Sequence, residues 1–163
     1  MKILRLSLSI AIIMNVLGCS SSSDVNDYHY MESLYGNWNC KLAVEDKEIK
    51  VQIDVDVNYV RNGHSNAFGT MTIQAPELPE LEYSIATSSN WEFINGYLIE
   101  TTNELKIVNV SHPEIDDVFN LESLFPQNIS ESSEILVLND SMLTLKSEMD
   151  GSVYSCSRLV RKI

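Results

Sequence analysis

An all-β fold, an antiparallel barrel or sandwich of about eight to ten short strands, is what this sequence of 163 residues predicts. Three observations point there. From Leu34 onward the apolar pattern repeats every two residues, the period of a strand, and not with the period of a helix. Turn signals recur between the apolar segments at Asn95-Gly96, Asn139-Asp140-Ser141 and Asp150-Gly151. A single stretch, His112 to Ser133, breaks the rhythm.

In chain order, the first segment is an address. Met1 to Arg5 carries Lys2 and Arg5, and Leu6 to Leu17 is apolar except for Ser7, Ser9 and Asn15. A charged head, an apolar core too short to span a bilayer and the small Gly18 describe a secretory signal over residues 1–18. Ser20 to Tyr30, SSSSDVNDYHY, cannot bury enough surface to fold, so residues 19–31 read as a flexible tether. Residues 32–163 then form one domain with room for a core.

Within that domain Lys50 to Asn58 alternates strictly, with Val51, Ile53, Val55 and Val57 on one face and Asp54 and Asp56 on the other. Trp91 to Ile94 and Tyr97 to Glu100 flank Asn95-Gly96, a pair that accepts the positive φ angles of a type I′ turn, so this is a hairpin. Ile135 to Leu138, Met142 to Lys146 and Val153 to Leu159 repeat the theme, and weaker strands lie at Tyr35 to Val44, Ala67 to Gln74, Leu81 to Ala86 and Leu105 to Val110. Pro76 and Pro79 mark a loop. In the exceptional stretch, Asp116 to Leu124 has apolar residues at 118, 121 and 124/125 and acids at its start. That spacing predicts one short amphipathic helix covering an open end of the sheet structure.

Charge excludes one class of partner. The chain carries 11 basic and 23 acidic residues, a formal net charge of −12, and no basic stripe. Phosphate backbones and anionic headgroups are repelled, so nucleic acid is not an expected partner.

Val16-Leu17-Gly18-Cys19 resembles the lipobox of bacterial lipoproteins. The resemblance implies cleavage before Cys19 and its lipidation by a thioether-linked diacylglycerol and an amide-linked acyl chain such as palmitate. Each buried methylene contributes roughly 0.8 kcal/mol and one chain alone anchors marginally, so several chains make the anchor permanent. Ser20 after the cysteine implies, by the same resemblance, an outer-membrane lipoprotein on the periplasmic side.

With Cys19 acylated, Cys40 and Cys156 remain of the three cysteines. In an exported domain these are expected to form a disulfide; two separate buried thiols are the alternative. The disulfide carries a register with it. Opposed antiparallel residues move in opposite directions, so two steps back from Cys40 to Trp38 match two steps forward from Cys156 to Arg158. The first strand then lies beside the last, which favours a barrel over a sandwich, and an indole faces a guanidinium as a cation–π pair. Gly36-Asn37-Trp38 with Arg158 resembles the Gly-x-Trp and arginine of lipocalins, in which the arginine packs across the tryptophan at the closed end of the barrel. The resemblance implies a lipocalin-like barrel. About nine strands are countable, whereas an up-and-down barrel needs an even number to make its ends neighbours: either one segment is misassigned or the covering helix hides a crossover.

Candidate chemistry is sparse. Asp54 and Asp56 share a solvated face; Asp116-Asp117 lacks the alternating donors of a calcium loop. His29, His64 and His112 have no mutual spacing for ligation, and no serine stands in a nucleophile elbow or is tied to a histidine and an acid. No catalytic residue, metal site or cofactor is expected, and the protein is not expected to be an enzyme. Met71, Ile73, Tyr83, Ile85 and Phe93 are the candidates to line a ligand cavity or to fill the barrel. Two functions follow as expectations: a membrane-anchored binding or accessory module holding a small apolar ligand, or an envelope interaction protein docking a secretion, pilus or assembly component.

Overall fold

The computed structural model describes residues 30–117, 120–125 and 127–160. Eight antiparallel strands follow one another around a closed barrel: β1 (Gly36–Asp46), β2 (Ile49–Tyr59), β3 (His64–Gln74), β4 (Leu81–Ile94), β5 (Tyr97–Asn109), β6 (Ser130–Leu138), β7 (Met142–Ser147) and β8 (Val153–Arg158). Each strand pairs with its sequence neighbours, and β1 closes on β8 in the register Trp38↔Arg158 and Cys40↔Cys156. The all-β barrel read from the sequence is thus the fold, and the even strand number lets first and last strands meet.

The count falls to eight because two pairs of segments are single strands. Leu81–Ala86 and Trp91–Ile94 belong to β4, and Tyr97–Glu100 and Leu105–Val110 are joined through β5. The intervening Thr87 to Asn90 and Thr101 to Glu104 are polar and read as breaks. Yet they contain no Gly or Pro, and their ladder continues across a bulge between Ser88 and Ser89 that leaves Asn103 as the extra residue. The Asn95-Gly96 hairpin forms with both residues at positive φ, 53° and 88°.

A second difference concerns the cover. Where a helix is expected over Asp116 to Leu124, the chain makes two 3₁₀ turns, Pro113–Ile115 and Leu121–Leu124. Asn120 explains the division: its side chain accepts from the Ser123 N–H, starting a new turn where a helix would have to continue. Leu121 is buried, but Leu124 and Phe125 are exposed, so the apolar spacing does not form one face; Val118, Phe119 and Pro126 lie outside the described residues. A short helix is described at residues 30–34, ahead of β1.

The wall is uneven. The β5–β6 ladder runs only from Tyr97 to Thr101 and the β1–β8 ladder only from Trp38 to Lys41. Beyond them β1 to β5 continue as a curled sheet, and the connection after β5 brings Ile115 and Leu121 onto its inner face. Inward side chains accordingly fall into two clusters. One, around Trp38, Tyr59, Trp91, Phe93, Leu98 and Leu143, packs against Leu34 of the helix. The other contains Met71, Leu81, Tyr83, Ile85 and Ile107 beneath Leu121. Between β2 and β3 the strands come so close at Gly69 that a Cβ there would sit 2.1 Å from the Asp54 carbonyl oxygen, which only glycine avoids.

Candidate functional site

The barrel interior is the candidate site, and its closed end is built first. The helix at 30–34 leaves carbonyls without intrahelical partners, as every helix end does. Trp38 Nε1 donates to the Leu34 carbonyl at 2.8 Å, Arg158 Nη1 donates to Tyr35 O at 2.7 Å, and Arg158 Nη2 donates to Ser33 O. The guanidinium also lies 4.1 Å from the centre of the Trp38 ring. Gly36 permits this approach, having φ +120° and only 3.0 Å between the place of a Cβ and Arg158 Nη1. Cys40 and Cys156 are disulfide-bonded one pleat further in. Arg61 grips Glu32 with both Nη atoms and stacks 4.6 Å from the Tyr35 ring, tying the helix to the β2–β3 turn.

Midway along the interior stands a carboxylate, Glu100, opposite Trp91 on the inner face. It accepts from Tyr59 Oη and Ser65 Oγ, each at 3.0 Å. Burial pushes its carboxyl above the ordinary range, while the two hydroxyls offset part of that push by favouring the charged form. Tyr59 is raised well above the usual phenol range by burial and then by Glu100. Tyr154 is pushed up to about 12, first by burial, with a hydrogen bond to Ser133 working the other way and Glu100 adding to the rise.

Tyr154 also faces an apolar hollow of about 120 Å³ that it lines with Cys40, Lys41, Leu42, Ile53 and Val55. From this hollow one straight cross-strand row runs over the inner face: Leu42 opposes Ile53, Ile53 opposes Met71, Met71 opposes Tyr83, and Tyr83 opposes Asn109. The row ends in polar atoms. Tyr83 Oη, Asn109 Nδ2 and Asp116 Oδ1 are buried and make no hydrogen bond of full geometry among the described residues, although the Asn109 amide faces the Tyr83 oxygen closely enough to favour the phenolate. Burial and the Asp116 charge both raise the Tyr83 phenol, and Asn109 lowers it.

The residues singled out by sequence are distributed as follows. Cys40 pairs with Cys156 and Trp38 with Arg158; Cys19 and His29 lie outside the described residues. Met71, Ile73, Tyr83 and Ile85 share the cluster beneath Leu121, whereas Phe93 belongs to the closed-end cluster, so the five do not line one cavity. Asp54 and Asp56 are on the outer face: Asn39 donates to both, and Lys41 lies 2.7 Å from Asp54. His64 accepts the Trp91 indole through its carbonyl, and His112 supplies a backbone N–H to Asn109 Oδ1. Among the described residues no group of His, Cys, Asp and Glu could hold a metal ion, and no helix is long and apolar enough to cross a membrane.

Sequence reasoning assigned no interior role to Glu100, Asn109, Asp116 or Tyr154. For Glu100 a signal existed: the register of the Asn95-Gly96 hairpin sets it opposite Trp91 on the apolar face. Asp116 offered none, because a loop brings it to the row.

The geometry defines a closed eight-stranded antiparallel barrel with an arginine packed on a tryptophan at its shut end, consistent with a lipocalin-like fold. No protein-family model matches the chain, and no curated protein matches it.

Proposed function

We propose that this chain is a non-enzymatic lipoprotein, anchored through Cys19 to the periplasmic side of a bacterial outer membrane, whose barrel binds a small apolar molecule. The observation that carries the binding role is the apolar hollow between Cys40, Leu42, Ile53, Val55 and Tyr154, which opens on the inner wall of a barrel otherwise closed at one end. The lipobox-like Val16-Leu17-Gly18-Cys19 supports the anchor, and the helix at 30–34 lies at the closed end of the barrel, with the hollow on the far side of the disulfide.

Delipidated protein titrated with a panel of medium-chain lipids, fatty acids included, should show quenched tryptophan emission or a raised melting temperature; no response across the panel sinks the binding role. Cys19→Ala should leave the precursor uncut and unlabelled by radioactive palmitate, and retained label would overturn the anchor. A second reading, docking of an envelope component on the outer surface, is favoured by Phe68, which stands 66% exposed on the outer face of β3. It predicts co-purification with an envelope complex that survives filling the hollow with Val55→Phe and is lost with Phe68→Ser.

A further inference from the structure

Buried polar atoms almost always have full partners, so three that lack them, two opposed on the inner face and the third close enough for its charge to raise the Tyr83 phenol, need an explanation. Tyr83 is 1% exposed and Asn109 2%. Their orientations are not free. Asn109 Oδ1 accepts the His112 N–H at 2.8 Å and the Ser111 hydroxyl at 3.3 Å, so turning the amide over would set its NH₂ against donors. Its Nδ2 is therefore committed to the interior. Asp116 is held by its backbone N–H on Pro113 O and offers an acceptor. Tyr83, with its phenol raised, keeps its proton and offers a hydroxyl.

We propose that Tyr83 Oη, Asn109 Nδ2 and Asp116 Oδ1 form the head-group site for a neutral hydroxyl-bearing apolar ligand, whose tail follows the row over Met71 to the hollow at Ile53 and Leu42. A hydroxyl oxygen accepts two hydrogen bonds and donates one, which matches an amide donor, a phenol donor and a carboxylate acceptor. A carboxylate head would meet Asp116 with like charge, and an ammonium head would meet the Asn109 NH₂ with only donors to offer it. From Asn109 on β5 to Ile53 on β2 are three strand spacings of about 4.8 Å, or roughly 14 Å, the length of an alkyl chain of about ten carbons. Met71, in the middle of the track, is the side chain type that repacks most readily around a guest. The cover can yield, because Ile115 and Leu121 come from single 3₁₀ turns and not from a helix.

This inference rests on the barrel-binding reading and specifies its ligand. The test uses the folded, delipidated mature protein with 1-decanol, decanoate and decylamine, measured by calorimetry and tryptophan emission. Decanol is expected to bind at least tenfold more tightly than either charged analogue, and Tyr83→Phe and Asp116→Asn are each expected to weaken it about tenfold. Tyr83→Phe should leave the ligand-free melting temperature unchanged or higher, since it removes an unpartnered hydroxyl, whereas a merely structural hydroxyl would lower it. Equal binding of the three probes, or decanol affinity untouched in Tyr83→Phe, overturns the head-group site while keeping the barrel-binding reading. Ordered water alone at the three atoms with no probe bound overturns both.

Discussion

The two ends of the barrel are built on opposite principles. At the closed end nearly every polar group has a partner: the indole and guanidinium take the last carbonyls of the helix at 30–34, Trp91 Nε1 takes the His64 carbonyl, and a disulfide joins the first strand to the last. Among the described residues there Arg158 Nε is the exception, and its guanidinium is held over the Trp38 ring. At the far end the wall narrows to five strands, the cover is two short turns, and three buried polar atoms wait on the inner face. Folding stability comes from completing contacts, whereas a binding surface must leave some for the ligand to complete. On the binding role proposed above, stability belongs to one end and recognition to the other.

Four measurements break or sharpen that division. The largest effect is expected from the disulfide, which closes a loop with a sequence separation of 116. Reduction, or Cys40→Ala with Cys156→Ala, should cost about 3–5 kcal/mol in urea unfolding, by loss of the constraint on the unfolded chain. A cost below about 1 kcal/mol would take the closed end out of its stabilising role.

Arg158→Lys comes next. An ammonium cannot reach two carbonyls in a fork while lying flat on an indole, so at least one of the Tyr35 and Ser33 carbonyls loses its partner, at about 1–3 kcal/mol. If Lys and Arg are equally stable, the ring stacking and carbonyl capping are ornamental.

Glu100 supplies a smaller, pH-dependent effect in the middle of the barrel. Its carboxyl is raised from 4.5 by burial, so between the unfolded and the folded value the unfolded chain ionises first. Stability is then full below the unfolded pKa and falls as pH rises through the folded one. Urea midpoints from pH 4 to 8 should show that decline in the wild type and a flatter profile in Glu100→Gln; parallel profiles would mean the carboxylate is solvated in the fold.

The smallest effect belongs to the outer face. Asp54 is lowered from 3.8 by the Lys41 hydrogen bond and then by Asn39, so its contribution exists above the unfolded pKa and is lost as pH falls through the folded one. Its side chain is 47% exposed, and screening limits Asp54→Asn to roughly 0–0.5 kcal/mol at neutral pH. A cost above that would give the outer face a structural weight that the contrast between the ends denies it.

How much of this was legible depended on whether pairing reduces to counting. The Asn95-Gly96 hairpin and the Cys40–Cys156 register are counting rules: once one opposed pair is known, Trp38↔Arg158 and Trp91↔Glu100 follow. The continuity of β4 and β5 was not legible, because Thr87 to Asn90 lacks apolar alternation and owes its extension to the neighbouring ladders. The cover was misread for a related reason. Its apolar spacing suits a helix, but Asn120 caps a turn in the middle, and a short segment between prolines has too little helix to offset the loss.

The sequence by itself determined the period-two strands, the turns between them, the acidic surface and the alignment of the first strand with the last, since each follows from neighbours along the chain or from one covalent bond. Only the tertiary structure decided that four of those segments make two continuous strands, β4 and β5. It alone brought Asp116, from a loop, close to Tyr83 at the end of a row that starts at Leu42. A strand's facing residues are settled by the alternation of the backbone, but which loop lies over which row is settled by packing across the whole barrel, and no local pattern encodes that.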